Sequence, residues 1–377
     1  MEKLRPNSDI EILRAFAIIM VLVQHYPSLY FWSDHSFFTS VNKYINFWSG
    51  VDLFLCISGF VVGCSLIPVL DKARNNRTEQ KAVIKSFFVK RAYRLFPTSF
   101  FWIATMLTLT FTYNISGAFG TPKWNIYQAL SVLTYNYNYL SNYMMVRALP
   151  TTFGPFWSLN LEEQFYFIFP FFLLLTNKNN RIKLLLIGIA FQFFINRQES
   201  VLLNFRLDAI SWGVVLSILY MDGNLRKFDP VKLAGKGCSL VATITPILYL
   251  MVSIPALHDS RFLVGLLGVA SAALVFVASF NKQYIYCPTF IRKTMLWIGS
   301  RSYGIYVIHM PVIYFIQEST IRYYISIGQG PSKTVLLCAV MTLLAITTTI
   351  ILTEINYQII EKPLRKIGRE YAQKISS

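Results

Sequence analysis

The chain has 377 residues, of which 54% are hydrophobic and only 14% are charged, whereas about a quarter of an average soluble domain is charged. With a mean hydropathy of +0.46, this composition excludes an ordinary soluble enzyme, a disordered chain and a coiled coil, and is typical of a polytopic helical membrane protein. The net charge of +17 would indicate a nucleic-acid partner only if the basic residues formed one patch. They are dispersed between apolar segments instead, so no nucleic-acid partner is expected.

Ten apolar segments are predicted to cross a membrane, because each crossing needs about 20 mostly apolar residues in a hydrocarbon layer about 30 Å thick. Residues 125–146 are also apolar, but they are rich in Asn and Tyr, and we interpret them as an interfacial helix. The predicted crossings are residues 10–31, 48–70, 95–113, 157–176, 183–196, 201–220, 238–256, 262–280, 295–317 and 334–355.

The basic residues determine the predicted orientation, since those near the ends of crossings stay cytoplasmic. With ten crossings, 25 of the 35 Lys and Arg residues fall on one side and seven on the other. An eleventh crossing at 125–146 would invert every later loop. The sequence therefore predicts an all-α polytopic membrane protein of about ten transmembrane helices with both termini cytoplasmic, forming one membrane domain over 1–377 with no appended soluble domain.

Ionisable residues within the predicted helices are the main functional candidates, since each costs about 2.5 to 3.5 kcal/mol on insertion scales. The five cysteines are scattered without a CxxC motif or a Cys/His cluster, so neither a disulfide framework nor a metal site is predicted.

Arg14 and His25 form the clearest candidate pair. They are eleven positions apart, which corresponds to about three helical turns, so both project from one face and lie about 16 Å apart along the axis. One cation is thus expected near the cytoplasmic end and one titratable imidazole deeper on the same wall. The structural alternative is that Arg14 reaches the inner headgroups and His25 is a packing residue.

Five further candidates lie at or inside other predicted helices. Asp52, in GVDLFLCISGF, is expected near the outer surface, where a helix cap is the structural alternative. Arg91 and Arg94, in RAYRLFP, occupy one helix face where the third crossing enters the membrane. Arg301 is expected at a cytoplasmic helix end, and His309, in SYGIYVIHMPV, is a second deep histidine two residues before Pro311.

The remaining candidates are expected near the outer side. In WSLNLEEQFY, Trp157 is placed at the interface, and Glu162 and Glu163 follow within an aromatic run. Capping of the helix N-terminus explains one carboxylate better than two. In RLDAISWG, Arg206 and Asp208 are expected to pair with each other or with another carboxylate.

These residues are distributed asymmetrically, with Arg at cytoplasmic helix ends, carboxylates at outer ends and the two histidines between them. Arg is suited to phosphate recognition, and histidine moves protons near neutral pH. The pattern indicates a phosphate-rich donor that enters from inside and a hydroxyl acceptor outside.

At these residues the chain resembles the acyltransferase-3 family of integral membrane acyltransferases, many of which O-acetylate bacterial surface polysaccharides. The matching motifs extend over almost the whole chain in order: LRAFAIIMVLVQH, GVDLFLCISGF, KRAYRLFP, WSLNLEEQFY, RLDAISWG, SYGIYVIHMPV and EKPLR. The resemblance is to stand-alone members without the soluble domain that many relatives carry.

The resemblance implies that acetyl-CoA or a related acyl-CoA is the cytoplasmic co-substrate, with no permanently bound cofactor, and that Arg14 and His25 are required. The implied acceptor is a sugar hydroxyl of a surface polysaccharide such as lipid-linked O-antigen. The expected location is the inner membrane of a bacterium, with membrane lipids around the helices and the acceptor in the periplasm.

We interpret His25 as a general base or as a nucleophile that forms an acyl-imidazole, with Asp52 or Glu162 orienting its ring. The CoA phosphates are predicted to bind Arg14, Arg91, Arg94 and Arg301. Acceptor-side or structural roles are predicted for Trp157, Glu163, Arg206, Asp208 and His309.

Two other functional classes remain open at this stage. A proton-coupled transporter also uses intramembrane His, Arg and Glu, but the halves of this chain show no repeat of the kind that transporters often contain. A membrane scaffold or flippase partner would leave the ordered motifs unexplained. Release of free CoA distinguishes the acyltransferase from both.

Overall fold

A computed structural model describes residues 7–30, 32, 41, 43–197, 202–231, 235–332 and 334–376. Within these ranges every extended element is a helix. The α-helices, numbered in chain order, are α1 (Ser8–His25), α2 (Gly50–Lys72), α3 (Arg77–Thr112), α4 (Pro122–Leu133), α5 (Tyr137–Val146), α6 (Phe156–Leu175), α7 (Lys178–Phe194), α8 (Leu207–Met221), α9 (Lys236–Ala256), α10 (Leu263–Ser279), α11 (Thr289–Ser326), α12 (Val335–Asn356) and α13 (Lys362–Ser376).

Each of the ten predicted crossings overlaps one of these helices. Residue 31, the predicted end of the first crossing, and residue 201, the predicted start of the sixth, lie outside the described ranges. By length and composition, five described stretches can cross a membrane: Ser8–Tyr30, Gly50–Lys72, Arg77–Thr112, Gly237–Ala256 and Val335–Ile375. The helical class is therefore confirmed and is consistent with a membrane protein. The number of crossings and the cytoplasmic termini stay predictions.

Two regions predicted as loops are largely helical. Helix α3 begins at Arg77, far ahead of the predicted start at residue 95, and α13 occupies most of the basic tail. Lys, Arg and Glu are good helix formers. Residues 77–94 contain no proline, and Pro363 lies in the first turn of α13, where proline is tolerated. Hydropathy detects only the apolar part of such a helix, so the boundaries were wrong where a helix continues into basic sequence.

The interfacial helix predicted at 125–146 is instead a hairpin of two short helices, α4 and α5. Their 12 and 10 residues correspond to about 18 Å and 15 Å, so neither can span about 30 Å alone. The chain breaks at Tyr135, whose φ of +59° lies in the left-handed region. Apolar periodicity continues through the break, which is why the sequence did not predict it.

The chain forms two compact units. The first consists of Met1–Val21, Asn42–Ile84 and Gln164–Ser302, and its core is built from α2, α8, α10 and the start of α1. Helices α2 and α8 meet at two glycines: a Cβ on Gly59 would lie 2.1 Å from the Ile210 carbonyl oxygen, and one on Gly213 would lie 2.0 Å from that of Cys56. Small residues at these positions allow the two backbones to touch.

The second unit consists of Leu22–Val41, Lys85–Glu163 and Tyr303–Ser377. Its core is strongly aromatic and joins α3, the α4–α5 hairpin, α11 and α12. Buried amides fix the hairpin: the Asn125 amide donates to Thr110 Oγ1 at 2.7 Å, and Tyr137 OH donates to Gln128 Oε1 at 2.8 Å. Buried polar groups of this kind are stable because they are hydrogen-bonded.

Candidate active site

Two histidines that are 284 positions apart in the sequence meet in the second unit. His25 ends α1 and His309 lies in α11, and their ring centroids are 5.2 Å apart in an edge-to-face arrangement. His25 Nδ1 also lies 3.2 Å from Met310 Sδ. His309 is fully buried, whereas His25 retains some exposure.

The backbone fixes the protonation pattern of His309. Its Nδ1 lies 2.8 Å from the Tyr306 carbonyl oxygen and 3.3 Å from that of Ile305. A carbonyl only accepts hydrogen bonds, so Nδ1 must carry the proton and the neutral ring keeps a lone pair on Nε2. Nε2 is buried and has no hydrogen-bond partner among the described residues. A basic nitrogen is thus held beside the second imidazole.

The carboxylate expected to orient His25 is not found within its unit. Among the described residues of that unit, Met310 and His309 contact the His25 ring, and none of the carboxylates, Glu162 included, hydrogen-bonds it. Asp52 belongs to the first unit, where Arg206 binds it. The orientation that we expected from a carboxylate therefore comes, within the second unit, from packing against a thioether and a second ring.

Helix α6 is attached to the helix that carries His309. The Ser158 and Tyr306 hydroxyls are 2.7 Å apart, and Tyr306 OH donates to the Pro155 carbonyl at 3.0 Å. Because the Tyr306 carbonyl also accepts the hydrogen bond from His309 Nδ1–H, Tyr306 anchors both the start of α6 and the His309 ring. Trp157, predicted at the interface, packs against the aromatic core of this unit.

The two glutamates of α6 differ in their surroundings. Glu163 Oε2 accepts a hydrogen bond of 3.1 Å from the Asn160 amide, which also donates to the Val132 carbonyl. Asn160 Oδ1 accepts from the Tyr137 backbone N–H. Glu163 is thereby tied to the hairpin turn. Glu162 is half-buried on the same helix, and its catalytic role stays a prediction.

A basic cluster lies in the second unit. Arg91 contacts the Phe87 ring at 5.5 Å, and Arg94, one turn later, has a buried Nε without a partner among the described residues. Arg365 lies close enough for its charge to be repelled by that of Arg94, and it binds Glu361 at 2.5 Å. Its own buried Nε is also unpartnered within the described chain. Arg365 is the last residue of the EKPLR motif, for which the sequence alone indicated no functional role.

The outer candidates of the first unit form two ion pairs. Arg206 Nη1 binds Asp52 Oδ2 at 2.7 Å and lies over the Trp48 ring, while Arg197 binds Asp208 through two hydrogen bonds of 2.9 Å and 2.7 Å. Arg206 therefore pairs with another carboxylate and not with Asp208, the second of the two alternatives. Arg197 was missed because it follows an apolar helix and reads as a loop residue.

The other two predicted donor-binding residues also belong to the first unit. Arg14 binds Glu11 at 2.5 Å, and Arg301 Nη1 donates to Ser300 Oγ at 2.8 Å. Helix α11 touches α1 here, since a Cβ on Gly299 would lie 2.0 Å from the Glu11 carbonyl oxygen. This contact places both cations within a turn of one helix crossing. Their donor-binding role stays a prediction.

Comparison with known proteins gives the family. A family model for an acyltransferase domain, that of the acyltransferase-3 family, matches residues 7–353. Similar proteins include the O-acetyltransferase OatA of Staphylococcus aureus strain NCTC 8325 / PS 47, 27% identical over 94% of this chain and 57% of the relative. The peptidoglycan O-acetyltransferase OatA of Listeria monocytogenes EGD-e is 24% identical over 96% of this chain and 56% of the relative.

A putative O-acetyltransferase, SAS0844, of Staphylococcus aureus strain MSSA476 is 25% identical over 97% of this chain and 58% of the relative. The chain thus spans a little over half the length of these relatives. No solved structure matches it. Because the family model covers nearly the whole described chain, the predicted resemblance is confirmed: the protein belongs to the acyltransferase-3 family.

Proposed function

We propose that the protein is an integral membrane O-acyltransferase that moves an acyl group, most simply acetyl, from cytoplasmic acyl-CoA to a sugar hydroxyl of a surface glycan. The observation that carries this proposal is the contact between His25 and His309. Two adjacent imidazoles, one with a lone pair fixed on Nε2, provide the proton transfer that attack of a hydroxyl on a thioester requires.

In this reaction the histidine pair accepts one proton and later returns it. When the sugar oxygen attacks the thioester carbon, an imidazole takes the hydroxyl proton, the carbon–sulfur bond breaks and the CoA sulfur leaves. The imidazolium then returns the proton to the sulfur, so free CoA and an O-acyl sugar are the products. If His25 is instead the nucleophile, its acyl-imidazole forms as CoA leaves, and the sugar hydroxyl cleaves it in a second step.

The donor proposal rests on the arginines. A guanidinium with an unpaired buried N–H is a costly arrangement that an anion would relieve. Arg94 and Arg365 each have such a group, and Arg91 lies one turn away from Arg94. We assign the CoA phosphates to these residues of the second unit, and the predicted donor role of Arg14 and Arg301 in the first unit stays a separate prediction.

The proposal for the acceptor rests on the relatives and specifies a class of glycan, not a particular glycan. The Listeria relative is named for peptidoglycan, and lipid-linked O-antigen was expected from the sequence. Both present sugar hydroxyls outside the plasma membrane of a bacterium, so we propose a surface glycan acceptor on the periplasmic side or its equivalent.

The proposal is tested with the full chain in membrane vesicles, labelled acetyl-CoA and two separate acceptors, soluble peptidoglycan strands and O-antigen polysaccharide. Label is expected in one glycan, with release of one free CoA per acyl group. His25→Ala and His309→Ala are each expected to lower transfer by about 10² or more, the usual contribution of a proton-transferring group. His258→Ala is the matched control, since His258 is exposed in the first unit.

Full transfer by both His25→Ala and His309→Ala would contradict the proposal. Movement of a substrate across the vesicle membrane without CoA release would favour the transporter. Labelled protein in the absence of glycan would identify the acyl-imidazole route.

A further inference from the structure

A groove in the second unit has no role in the chemistry described so far. It is a recess that is open on one side, and not an enclosed cavity. Its walls include Phe96 and Ser99 from α3, Tyr135 from the hairpin turn, and Phe156 and Glu163 from α6. Apart from Ser99 and Glu163, the lining is apolar, with aromatic and aliphatic side chains in equal number. A few polar groups in a mostly apolar lining are typical of binding sites in which those groups fix the orientation of the ligand.

Tyr135 is held in this groove at a conformational cost. Helix α4 ends in a Schellman motif: the Asn136 N–H donates to the Ser131 carbonyl at 2.8 Å, and the Tyr135 N–H donates to the Val132 carbonyl at 3.1 Å. Tyr135 occupies the left-handed position, with φ +59°, where glycine is usual and a side chain costs roughly 1 kcal/mol. Its ring lies 6.2 Å from that of Phe96, tilted by 31°.

Glu163 presents one free carboxylate oxygen to the groove. Asn160 holds Oε2 at 3.1 Å, whereas within the described chain Oε1 accepts no hydrogen bond and is not among the fully buried oxygens. The side chain is therefore oriented by the protein while one acceptor stays available. A carboxylate oxygen accepts hydrogen bonds from hydroxyl groups more strongly than a neutral acceptor does.

The groove also lies close to His309. The Ser99 hydroxyl in its wall is 2.7 Å from Tyr303 OH, and Tyr303, Tyr306 and His309 follow one another at intervals of three residues along α11. Six residues correspond to about 9 Å along a helix axis. The groove wall is therefore connected through α11 to the segment that carries His309.

We propose that this groove binds a sugar ring of the acceptor glycan, with Phe96 and Tyr135 against the ring and Glu163 Oε1 accepting hydrogen bonds from its hydroxyls; this assignment rests on the proposed function. A sugar has apolar C–H faces and polar edges, which match aromatic walls and one carboxylate. A lipid tail matches the apolar lining, but it would leave the carboxyl group of Glu163 without a new hydrogen-bond partner, at a cost.

The test uses Tyr135→Gly, which removes the ring and suits the backbone. Its matched control is Ala148→Gly, because Ala148 occupies the equivalent position after α5, with φ +52°. Both changes are expected to preserve folding. With soluble peptidoglycan strands and O-antigen polysaccharide as separate probes, Tyr135→Gly and Glu163→Gln should each raise the acceptor KM roughly tenfold, the equivalent of about 1.4 kcal/mol. The KM for acetyl-CoA should not change, and Ala148→Gly should match wild type.

Equilibrium binding of each glycan to the detergent-solubilised full chain separates this proposal from the proposed function. Binding by wild type that is weakened in Tyr135→Gly supports the groove even without turnover. Transfer by wild type with an unchanged acceptor KM in both variants overturns the groove but keeps the acyltransferase. Lipid-linked O-antigen is a third probe: if Tyr135→Gly impairs transfer to this probe alone and Glu163→Gln has no effect, the groove binds a lipid tail and the sugar assignment is overturned. Absence of both binding and turnover would overturn both proposals.

Discussion

At the scale of single residues, the sequence indicated candidate functional residues but not the partners that they contact. His25 and His309 stood out because ionisable groups in apolar helices are costly, yet nothing in their separate motifs predicts that they touch. Which residues touch depends on how helices that are distant in sequence pack, and a single sequence does not show that packing. For the same reason Arg197 was missed, although it binds Asp208 through two hydrogen bonds.

Asp52 gives a prediction at this scale because it is fully buried and bound to Arg206. Asp52→Ala should lower the free energy of unfolding by about 3 to 5 kcal/mol, since it leaves a buried guanidinium unpaired. Thermal unfolding of the detergent-solubilised protein measures this. The double variant Asp52→Ala with Arg206→Met should recover much of the loss, because the unpaired charge is gone. Wild-type stability of Asp52→Ala, with loss of activity alone, would instead assign Asp52 to catalysis.

A second prediction concerns the role of Arg94 and Arg365 in binding the donor. Replacing either with Met should raise the acetyl-CoA KM with little effect on kcat, because the charge serves binding and not the chemical step. The expected rise is roughly tenfold, from loss of a charge-assisted hydrogen bond to phosphate. Lys374→Met is a suitable control, since Lys374 lies in the same basic tail. An unchanged KM in both variants would mean that these arginines serve orientation in the membrane only.

At the scale of elements, the positions of the helices were predicted well and their ends less well. Hydropathy places α2 within two residues at each end, because apolar sequence and helix coincide there. It fails at α3 and α13, which continue into basic sequence, and at the α4–α5 break. That break depends on one residue in the left-handed conformation, and tyrosine gives no signal of it.

The close contact between α2 and α8 can be tested by substitutions at its two glycines. Gly59→Ala and Gly213→Ala should each lower the free energy of unfolding by about 1 to 3 kcal/mol, since the new methyl group meets backbone atoms that cannot move aside. Gly188→Ala in α7 is the control, because a Cβ there meets nothing within 4 Å. It should be neutral or stabilising by up to about 1 kcal/mol. Equal effects at all three positions would argue against the close helix contact.

At the scale of the whole molecule, the predicted functional residues divide between the two units. The histidine pair, the groove and the Arg91–Arg94–Arg365 cluster belong to the second unit, while the Asp52–Arg206 and Arg197–Asp208 pairs, with Arg14 and Arg301, belong to the first. Helices α1, α3, α6 and α11 each run from one unit into the other. We therefore assign proton transfer and acceptor binding to the second unit. The buried ion pairs Asp52–Arg206 and Arg197–Asp208 belong to the first unit.

The most direct test of the central claim is mass analysis of the surface glycans of cells that carry the intact gene, no gene, or the gene encoding His25→Ala, His309→Ala or His258→Ala. We expect a mass increment of one acyl group with the intact gene and with His258→Ala. The increment should be absent without the gene and, at equal protein levels, with His25→Ala or His309→Ala. The same increment with His25→Ala and His309→Ala would contradict the role of the histidine pair. No increment in any glycan would contradict a glycan acceptor.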